Sequence, residues 1–537
     1  MSTQNQNLPR ARPRSFGVEF EIIVPWIWDD EPDLHQELAT QLSPMLRLPV
    51  GLKEAYNSRS VSDNEIVIAY VYTTLADTLE AHGLPTENLE ATTGSTTGSS
   101  SISTSVSEAT TLGKGQEYNK WGIKRDNTIR VRENGYKCYG VEIVSPVERA
   151  SPEAFQLISY ALNVLKSKYR ITVNPTCGFH VHVGDGPERM PLEHVKRVAG
   201  LLWAADPLLA CIHPPHRRIS HFSQSIRERS NLARGRKARQ KRRHDSNMAC
   251  CIRYLGGGVR YGESPISWRE KYHEEHHIAA FEETREPGHF EPFFMKDPNE
   301  NIRVEDNEAL APSSNGSFYD DNLGVDIRVE KYMVRKGSKD VTPTPPYVSK
   351  RNRKTPRFAY PVYDPEKIDK NAVAGLEEKA AGDIGVFAGV REIFSSRSSC
   401  VIEWLLGAGE RPNYNLNVYA CWNLEDRGTR PGTIEFREAA GTIDGRWAET
   451  WARICVGLTD FAIHAPVSNY LSVLYNIHRA ASEGAPYDVL DLLDEVGLSA
   501  EAELVEERLF ENKEDWGLEF VPEFEIAIPR LHRRLAA

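Results

Sequence analysis

The chain has 537 residues, of which 40% are hydrophobic and 26% are charged, and its formal net charge is −11. This composition predicts a soluble globular protein, and no run approaches the ~18 uninterrupted apolar residues of a membrane span. The acidic balance argues against a generic nucleic-acid binder. The eight cysteines include no CxxC motif, which favours reduced thiols in an intracellular protein and argues against structural zinc.

The N-terminal part of the chain predicts a disordered tail at residues 1–14 and the first part of a folded core at residues 15–90. Apolar alternation predicts a strand at 16–24, a helical pattern follows near residues 34–48, and EIVIAYVY at 65–72 predicts a second strand. Residues 91–118 begin with a Gly/Ser/Thr-rich run that lacks a periodic apolar face. We expect a flexible loop there, which interrupts the domain.

The core is expected to resume at residues 119–212, where strand patterns at 118–131 and 138–148 precede an amphipathic helix with Ser151 as N-cap and Pro152 at its first position. Residues 213–400 are charged, rich in proline and weakly periodic, which predicts a long insertion, disordered in part. The core returns at residues 401–465, where Thr442 and Asp444 are expected to cap a helix. Residues 466–537 predict a C-terminal region of short helices.

A basic segment from Arg217 to His244 lies within the predicted insertion and contains almost no acidic residues. The sequence leaves three interpretations open. The segment is a solvated surface, a nuclear-localisation or nucleic-acid patch, or a grip for an anionic substrate. The cluster at 234–243 makes nuclear localisation the alternative to a cytoplasmic one.

The stretch TCGFHVHVG, residues 176–184, predicts a strand with two histidines on one face. Successive side chains of a strand point to opposite faces, so His180 and His182 share one side while Phe179, Val181 and Val183 share the other. Two imidazoles at this spacing are able to hold a metal or a phosphate.

Three further strands follow the same pattern, with one apolar face and one face that carries charged groups. FGVEFEII places Glu19 and Glu21 together, GVEIVSP presents Glu142, and TIEFRE presents Glu435 and Arg437. Glutamate is a poor strand residue, so paired glutamates in a strand point to a function. Carboxylates of this kind suit Mg²⁺ or Mn²⁺ bound together with nucleotide phosphates, and the planar guanidinium complements phosphoryl oxygens.

The motifs GVEFE, GVEIVSP, CGFHVHVG, LNV and TIEFREAAGTID, in that order, resemble the amidoligase family of the glutamine synthetase-like carboxylate–amine ligase superfamily. The resemblance covers roughly residues 15–25, 119–212 and 401–465. It implies an α+β fold in which a curved antiparallel sheet, a partial barrel with flanking helices and long loop insertions, forms a glutamine synthetase-like core. It also implies an ATP-dependent ligase that joins a small-molecule or peptide carboxylate to an amine through an acyl phosphate, with ATP and Mg²⁺ or Mn²⁺ as cofactors.

The resemblance assigns roles to individual residues of this chain. The metal ligands are then Glu19, Glu21, Glu142, His180 and Glu435, with either histidine able to complete the set. The nucleotide is then contacted by His182, Arg437 and Asn417, and the catalytic residues are Arg437, Glu21 and Glu435. Asp126 and Asn417 fall where the family carries polar residues near the substrate, although both are also ordinary turn or strand-end residues.

Two alternatives from other classes remain at this stage. HEEHH at 273–277 matches the HExxH pattern of zinc proteases through His273, Glu274 and His277, but the intervening positions are charged, which is costly in a helix that must bury them. The other alternative is a catalytically inactive, ligase-like binding protein. Retention of the acidic residues together with Arg437 argues against that loss of activity.

Overall fold

The structure is a computed structural model that describes residues 13–38, 40–58, 61–88, 119–131, 135–237, 319–320, 325–326, 351, 353–358, 380, 382–396, 399–408, 411–416, 419 and 432–518. The fold is a mixed α/β architecture in which a large open sheet is flanked by helices. Among the described helices, none combines the length and the hydropathy needed to cross a bilayer.

Eleven described strands occur in chain order: β1 (Ser15–Trp28), β2 (Leu46–Leu48), β3 (Thr86–Asn88), β4 (Trp121–Arg125), β5 (Lys137–Val144), β6 (Glu148–Arg149), β7 (Gly178–Gly184), β8 (Tyr319–Asp320), β9 (Val325–Asp326), β10 (Tyr414–Asn415) and β11 (Thr433–Ala440). Nine of these described strands form one sheet with the order β10-β11-β7-β1-β5-β4-β3, while β2 and β6 pair with opposite ends of β1. The strands β8 and β9 pair only with each other.

The predicted antiparallel sheet is confirmed only in part, because the sheet is mixed. The central strands β11, β7, β1, β5 and β4 do pair antiparallel, but β1 pairs with β2 and β3 pairs with β4 in parallel. Each parallel pair joins strands separated by a long connection, as parallel pairing requires. Side-chain alternation gives no information about strand direction, so the sequence pattern could not distinguish the two arrangements.

Twelve described α-helices accompany the sheet: α1 (Lys53–Asn57), α2 (Val61–Ala81), α3 (Pro152–Lys168), α4 (Leu192–Leu209), α5 (Pro215–Arg218), α6 (Ile226–Arg229), α7 (Val386–Phe394), α8 (Ser399–Leu406), α9 (Gly445–His464), α10 (Val467–Glu483), α11 (Val489–Glu495) and α12 (Ser499–Asn512). The main core lies between one face of the sheet and helices such as α2, α3, α4 and α9. Phe16, Val18, Phe20 and Ile22 point into this core from β1. The alternating residues of β1 therefore face the other side.

Two predicted elements near the N-terminus are wrong. The stretch EIVIAYVY at 65–72 lies inside helix α2, whose buried residues Val67, Ile68, Val71, Tyr72, Leu75, Ala76 and Leu79 recur with helical spacing. A short apolar run fits a strand and a buried helix equally well, and the longer window decides for the helix. In place of the helix expected near 34–48, the chain forms a 3-10 turn at Gln36–Leu38 and then β2.

The helix caps expected from the sequence are confirmed. Ser151 Oγ accepts the backbone N–H of Ala154 at 3.1 Å, and Pro152 occupies the first turn of α3. Asp444 caps α9 by accepting the N–H groups of Arg446 and Trp447, while Thr442 Oγ1 accepts the N–H of Asp444. Local hydrogen bonding of this kind is readable from sequence because its partners are two or three residues apart.

The described part of the basic segment is folded against the core, which contradicts its interpretation as a solvated surface. Arg217, Arg227 and Arg229 are buried. The guanidinium of Arg227 lies over the Trp203 ring and donates to the carboxylate of Asp383 at 2.7 and 2.8 Å. Residues 238–244, which include most of the cluster at 234–243, lie outside the described residues.

A second part of the predicted insertion is attached to the C-terminal helices by ion pairs. Arg351 pairs with Asp494, and Arg357 pairs with Asp491, through nitrogen–oxygen distances of 2.7 and 2.9 Å. Residues 353–358 and helix α7 therefore contribute contacts to the same folded body as the sheet, since Phe358, Val390 and Ile393 belong to its main core.

Candidate functional site

The register of the central strands aligns the predicted charged residues on one face of the sheet. Glu19 of β1 is paired with His180 of β7, and Glu21 is paired with Glu142 of β5. On the other side of β7, His182 is paired with Glu435 of β11. Cross-strand partners face the same side of a sheet, so Glu19 and Glu435, 416 positions apart in sequence, share one surface although β7 lies between their strands.

The side chains on this face contact one another. His180 Nδ1 lies 3.2 Å from Glu19 Oε2 and 3.5 Å from Glu435 Oε1, and its Nε2 lies 3.5 Å from Glu21 Oε1. His182 Nε2 lies 3.3 Å from Glu19 Oε1. Glu142 forms an ion pair of 2.9 Å with Lys124 of β4. The structure thus brings all four predicted glutamates and both histidines into a single cluster.

Three of these residues are arranged so that they could hold a metal ion. Glu19, His182 and Glu435 each offer one ligand atom, and the three atoms lie within 4.8 Å of one another. His182 Nε2 is buried, and it lies 3.3 Å from Glu19 Oε1 and 4.0 Å from Glu435 Oε1. His180 lies deeper, with 3% of its surface exposed, and is positioned by contacts to three of the glutamates.

A β-bulge in β11 sets the position of Arg437. Phe436 is paired with Val181 and Ala439 with Phe179, so Arg437 and Glu438 together stand opposite one residue of β7. The Arg437 guanidinium binds Glu435, and its Nε donates to the Phe222 carbonyl at 3.4 Å. Glu438 instead contacts Asn413 and Tyr414. The extra residue lets two consecutive side chains reach two different environments.

The electrostatics of the cluster keep two of its glutamates anionic. Burial alone would raise the pKa of Glu435, but Arg437, His182 and His180 outweigh it and the pKa lies below the ordinary value. Burial opposes ionisation of Glu19 as well, and His182, Lys124 and a hydrogen bond with His180 place its pKa well below the ordinary value. Both residues therefore present negative charge to a cation.

The other two glutamates behave in the opposite way. Burial is the main cause that raises the pKa of Glu21, and burial followed by the charge of Glu19 raises the pKa of Glu142 well above the ordinary value. Like charges at this spacing disfavour each other's ionised form. A cation bound in the cluster would relieve that repulsion.

Three side chains at this site were not predicted from the sequence. Lys124 pairs with Glu142, and Asn415 Nδ2 donates to Glu435 Oε2 at 2.7 Å. The third is Arg217 of the basic segment, whose charge interacts with Glu21 and whose Nη2 donates to the Arg437 carbonyl at 2.6 Å. Strand alternation could have indicated Lys124, which follows Ile123 in β4, but no local pattern pointed to Arg217.

The remaining sequence-based candidates are placed as follows. Asp126 accepts the N–H of Thr128 at 2.6 Å in a turn, and its charge contributes to the raised pKa of Glu21. Asn417 lies outside the described residues, as does the whole HEEHH stretch at 273–277.

Gly441, the residue that follows β11, packs closely against Cys177 and Glu21 beneath the cluster. Its N–H donates to the Cys177 carbonyl at 2.8 Å, and a Cβ added to it would lie 2.5 Å from Cys177 Cβ and 3.1 Å from the Glu21 carbonyl oxygen. Because backbone atoms must move to accept a methyl group there, we expect Gly441→Ala to lower the free energy of unfolding by ~1–3 kcal/mol.

Thermal and urea denaturation would measure this effect, with Gly51→Ala as the matched control. A Cβ at Gly51 has no heavy atom within 4 Å, so the control should leave the free energy of unfolding unchanged or raise it slightly. Equal stability of the two variants would show that the chain at Gly441 can accept a Cβ without cost.

A comparison with protein families identifies the chain's relatives. A family profile described as "putative amidoligase enzyme" matches residues 12–279, about half of the chain. The chain belongs to the amidoligase family. The matched range of this family member contains the strands that carry Glu19, Glu21, Glu142, His180 and His182, whereas Glu435 and Arg437 lie beyond it. No curated protein and no solved structure matched the chain.

Proposed function

We propose that this protein is an ATP-dependent carboxylate–amine ligase with a glutamine synthetase-like core, which forms an amide or isopeptide bond through an acyl phosphate. Membership of the amidoligase family supports a ligase-type enzyme. The observation that carries the finer proposal is the combination, on one sheet face, of the Glu19, His182 and Glu435 cluster with the guanidinium of Arg437. Carboxylates for a divalent cation beside an arginine for phosphoryl oxygens are the groups that phosphoryl transfer requires.

The donor set fits Mg²⁺ or Mn²⁺. Glu19 and Glu435 supply hard carboxylate oxygens, and His182 Nε2 supplies a nitrogen ligand beside them. Glu21 and Glu142, in the next row of the sheet, are further carboxylates within the same cluster. A divalent ion bound here would neutralise charge on the phosphate oxygens of ATP.

Activation by ATP is needed because a carboxylate is a poor acyl donor whose leaving group would be oxide. A carboxylate oxygen of the substrate attacks the γ-phosphorus of ATP, which gives an acyl phosphate and ADP. The nitrogen of the amine then attacks the acyl carbon, phosphate leaves with that oxygen, and the nitrogen loses a proton. No protein nucleophile takes part in either step.

The residues of this chain hold and polarise the reacting groups. Arg437 donates N–H groups to the transferring phosphoryl oxygens, and Glu435 and the Phe222 carbonyl fix its orientation. Lys124 holds Glu142 in place through their ion pair. Because Glu21, Glu142, His180 and Glu435 are all buried, water is kept away from the floor of the site, and charge interactions there are stronger than in solvent.

Oxygen-isotope transfer tests the proposed intermediate. With an ¹⁸O-labelled carboxylate substrate, identified by screening amino acids and amines for ATP-dependent release of ADP, inorganic phosphate should acquire one labelled oxygen per amide formed. Hydroxylamine should replace the amine and give a hydroxamate. Mass spectrometry of phosphate and product measures both. Unlabelled phosphate beside a genuine amide product would rule out an acyl phosphate.

A further inference from the structure

A second polar cavity lies beside β11, apart from the Glu19, His182 and Glu435 cluster. It has a volume of about 60 Å³ and is partly enclosed by α4, α5, α6 and the residues before β10. Its polar lining includes Asp206, His213, Arg217, Arg218, Asn413 and Glu438, and we refer to it as the arginine cavity. The volume exceeds the ~30 Å³ that one water occupies in the liquid, so it has room for a small organic group.

One wall of the arginine cavity is a fixed set of acidic groups. Asn413 Nδ2 donates to Asp206 Oδ1 and also to Glu438 Oε1, the latter at 3.1 Å. The hydroxyl of Tyr414 donates to the same Glu438 oxygen, and Ser225 donates to Asp206 Oδ2. These bonds hold both carboxyl groups in place and leave the second oxygen of Glu438 for another partner.

The cavity is also lined by two guanidinium groups, each with nitrogens that lack hydrogen-bond partners among the described residues. The Nε and Nη2 atoms of Arg218 are buried and form no hydrogen bond within the described part of the chain, and the same is true of Arg217 Nη1. No described carboxylate forms an ion pair with either side chain. Burying an unpaired charge costs several kcal/mol, so this arrangement calls for an anion.

The two free nitrogens of Arg218 indicate the kind of anion. Nε and Nη2 form one edge of a guanidinium, and their parallel N–H bonds match the two oxygens of a carboxylate. Arg217 Nη1 adds a third donor from a side chain that is 2% exposed. The cavity therefore presents three N–H donors for a carboxylate.

Glu438, which also lines the cavity, has a pKa raised well above the ordinary value by burial and by the charge of Asp206, so a bound cation would favour its ionised form. Its Oε2 is buried without a hydrogen-bond partner among the described residues and lies 4.0 Å from His213 Nε2, which also lacks one. Glu228 lines the same cavity and adds a further negative charge to that of Asp206. A ligand that pairs with the arginine nitrogens and with Glu438 must carry an anionic group and a hydrogen-bond donor group.

We propose that the arginine cavity binds a free amino acid, with the carboxylate on Arg218 and Arg217 and the ammonium group facing Glu438. A phosphate dianion would meet the acidic wall and be repelled by it. Acetate would leave Glu438 Oε2 without a donor, and methylammonium would leave Arg218 Nε and Nη2 and Arg217 Nη1 without an acceptor. An amino acid supplies partners both for the guanidinium groups and for Glu438, and the open side of the cavity leaves space for its side chain.

The arginine cavity is connected to the cluster through Arg217. That side chain lines the cavity, donates to the Arg437 and Glu438 carbonyl oxygens at 2.6 and 3.3 Å, and interacts with the charge of Glu21. The proposed binding needs neither ATP nor a metal, so it stands independently of the proposed ligase function.

Isothermal titration of the full-length chain without nucleotide tests the proposal with glycine, acetate, methylammonium and inorganic phosphate as probes. Glycine should bind in a saturable manner, with a dissociation constant at least about tenfold lower than that of each other probe. Arg218→Gln should raise the constant for glycine about tenfold or more, the scale of lost hydrogen bonds to a charged group. Arg236→Gln, which changes an exposed arginine of the same basic segment, should leave it unchanged.

The stability of the variant separates binding from a structural role. Since Arg218 Nε and Nη2 have no described partner, Arg218→Gln should keep the melting temperature of the ligand-free protein or raise it, while glycine no longer stabilises the variant. A melting temperature lowered by several degrees would show that Arg218 serves the fold. Tighter binding of phosphate or acetate than of glycine, or no saturable binding of any probe to the wild-type chain, would overturn the proposal. The proposed ligase function is tested by a separate measurement of ligase activity, so the two proposals can fail independently.

Discussion

Arg437→Ala should reduce the rate of ATP-dependent hydroxamate formation by about a hundredfold or more, the scale for removing one preorganised group that stabilises charge in a transition state. Three observations support this expectation. Arg437 lies on the sheet face that carries the glutamates, its guanidinium binds Glu435, and its backbone N–H donates to the Asn413 carbonyl at 2.8 Å. The side chain is thus held in place before any substrate binds.

The measurement is the single-turnover rate of hydroxamate formation with saturating ATP and Mg²⁺. Arg437→Lys keeps the charge but loses the two-pronged donor geometry, so it should recover only part of the rate. Arg446→Ala is the matched control, because Arg446 is exposed and pairs with Glu507 at the surface. A rate within threefold of wild type for Arg437→Ala would show that this guanidinium does not act on the transferring group.

Glu435→Gln should weaken binding of Mn²⁺ by about a hundredfold, since loss of an outer-shell partner alone costs 10–100-fold and Glu435 is proposed to be a ligand itself. The side chain is buried, and its charge is maintained by Arg437, His182 and His180. The amide of glutamine has nearly the same shape and still accepts a hydrogen bond from Asn415. The variant therefore removes charge with little change in packing.

Electron paramagnetic resonance of free Mn²⁺, without nucleotide, measures the affinity. The matched control is Glu37→Gln, because Glu37 lies 3.3 Å from His35 but both residues are exposed at the surface. Glu19→Gln should reproduce the loss. Unchanged Mn²⁺ affinity in both site variants, with melting temperatures near that of wild type, would remove the metal site from the proposal.

Family membership and the identity of the candidate site residues followed from the sequence because they depend on local patterns. Alternation within β1, β5, β7 and β11 separates a core face from a charged face regardless of the rest of the fold. The order of the short motifs gave the family, which the match to residues 12–279 confirms. Caps at Ser151 and Asp444 were predictable because each involves atoms two or three residues apart.

Helix α2 shows where local patterns fail. Seven apolar and aromatic residues at 66–72 suit a strand and a buried helix alike, and only the longer element Val61–Ala81, which packs against α3 and β4, decides for the helix. The burial of the arginines in the basic segment was not predictable for the same reason. Charge along the sequence does not reveal which side chains find partners such as Asp383 from residues more than 150 positions away.

The sequence by itself determined which residues could perform chemistry, whereas the tertiary structure decided which of them meet. Pairing of Glu435 with His182 and of Glu21 with Glu142 depends on strand register, which is set by contacts between segments more than 100 residues apart. The bulge at Arg437 and Glu438, and with it the separation of the cluster from the arginine cavity, is equally a product of that pairing. The sequence gives each residue's chemistry and its local pattern, but only chain folding fixes the distances on which binding and catalysis depend.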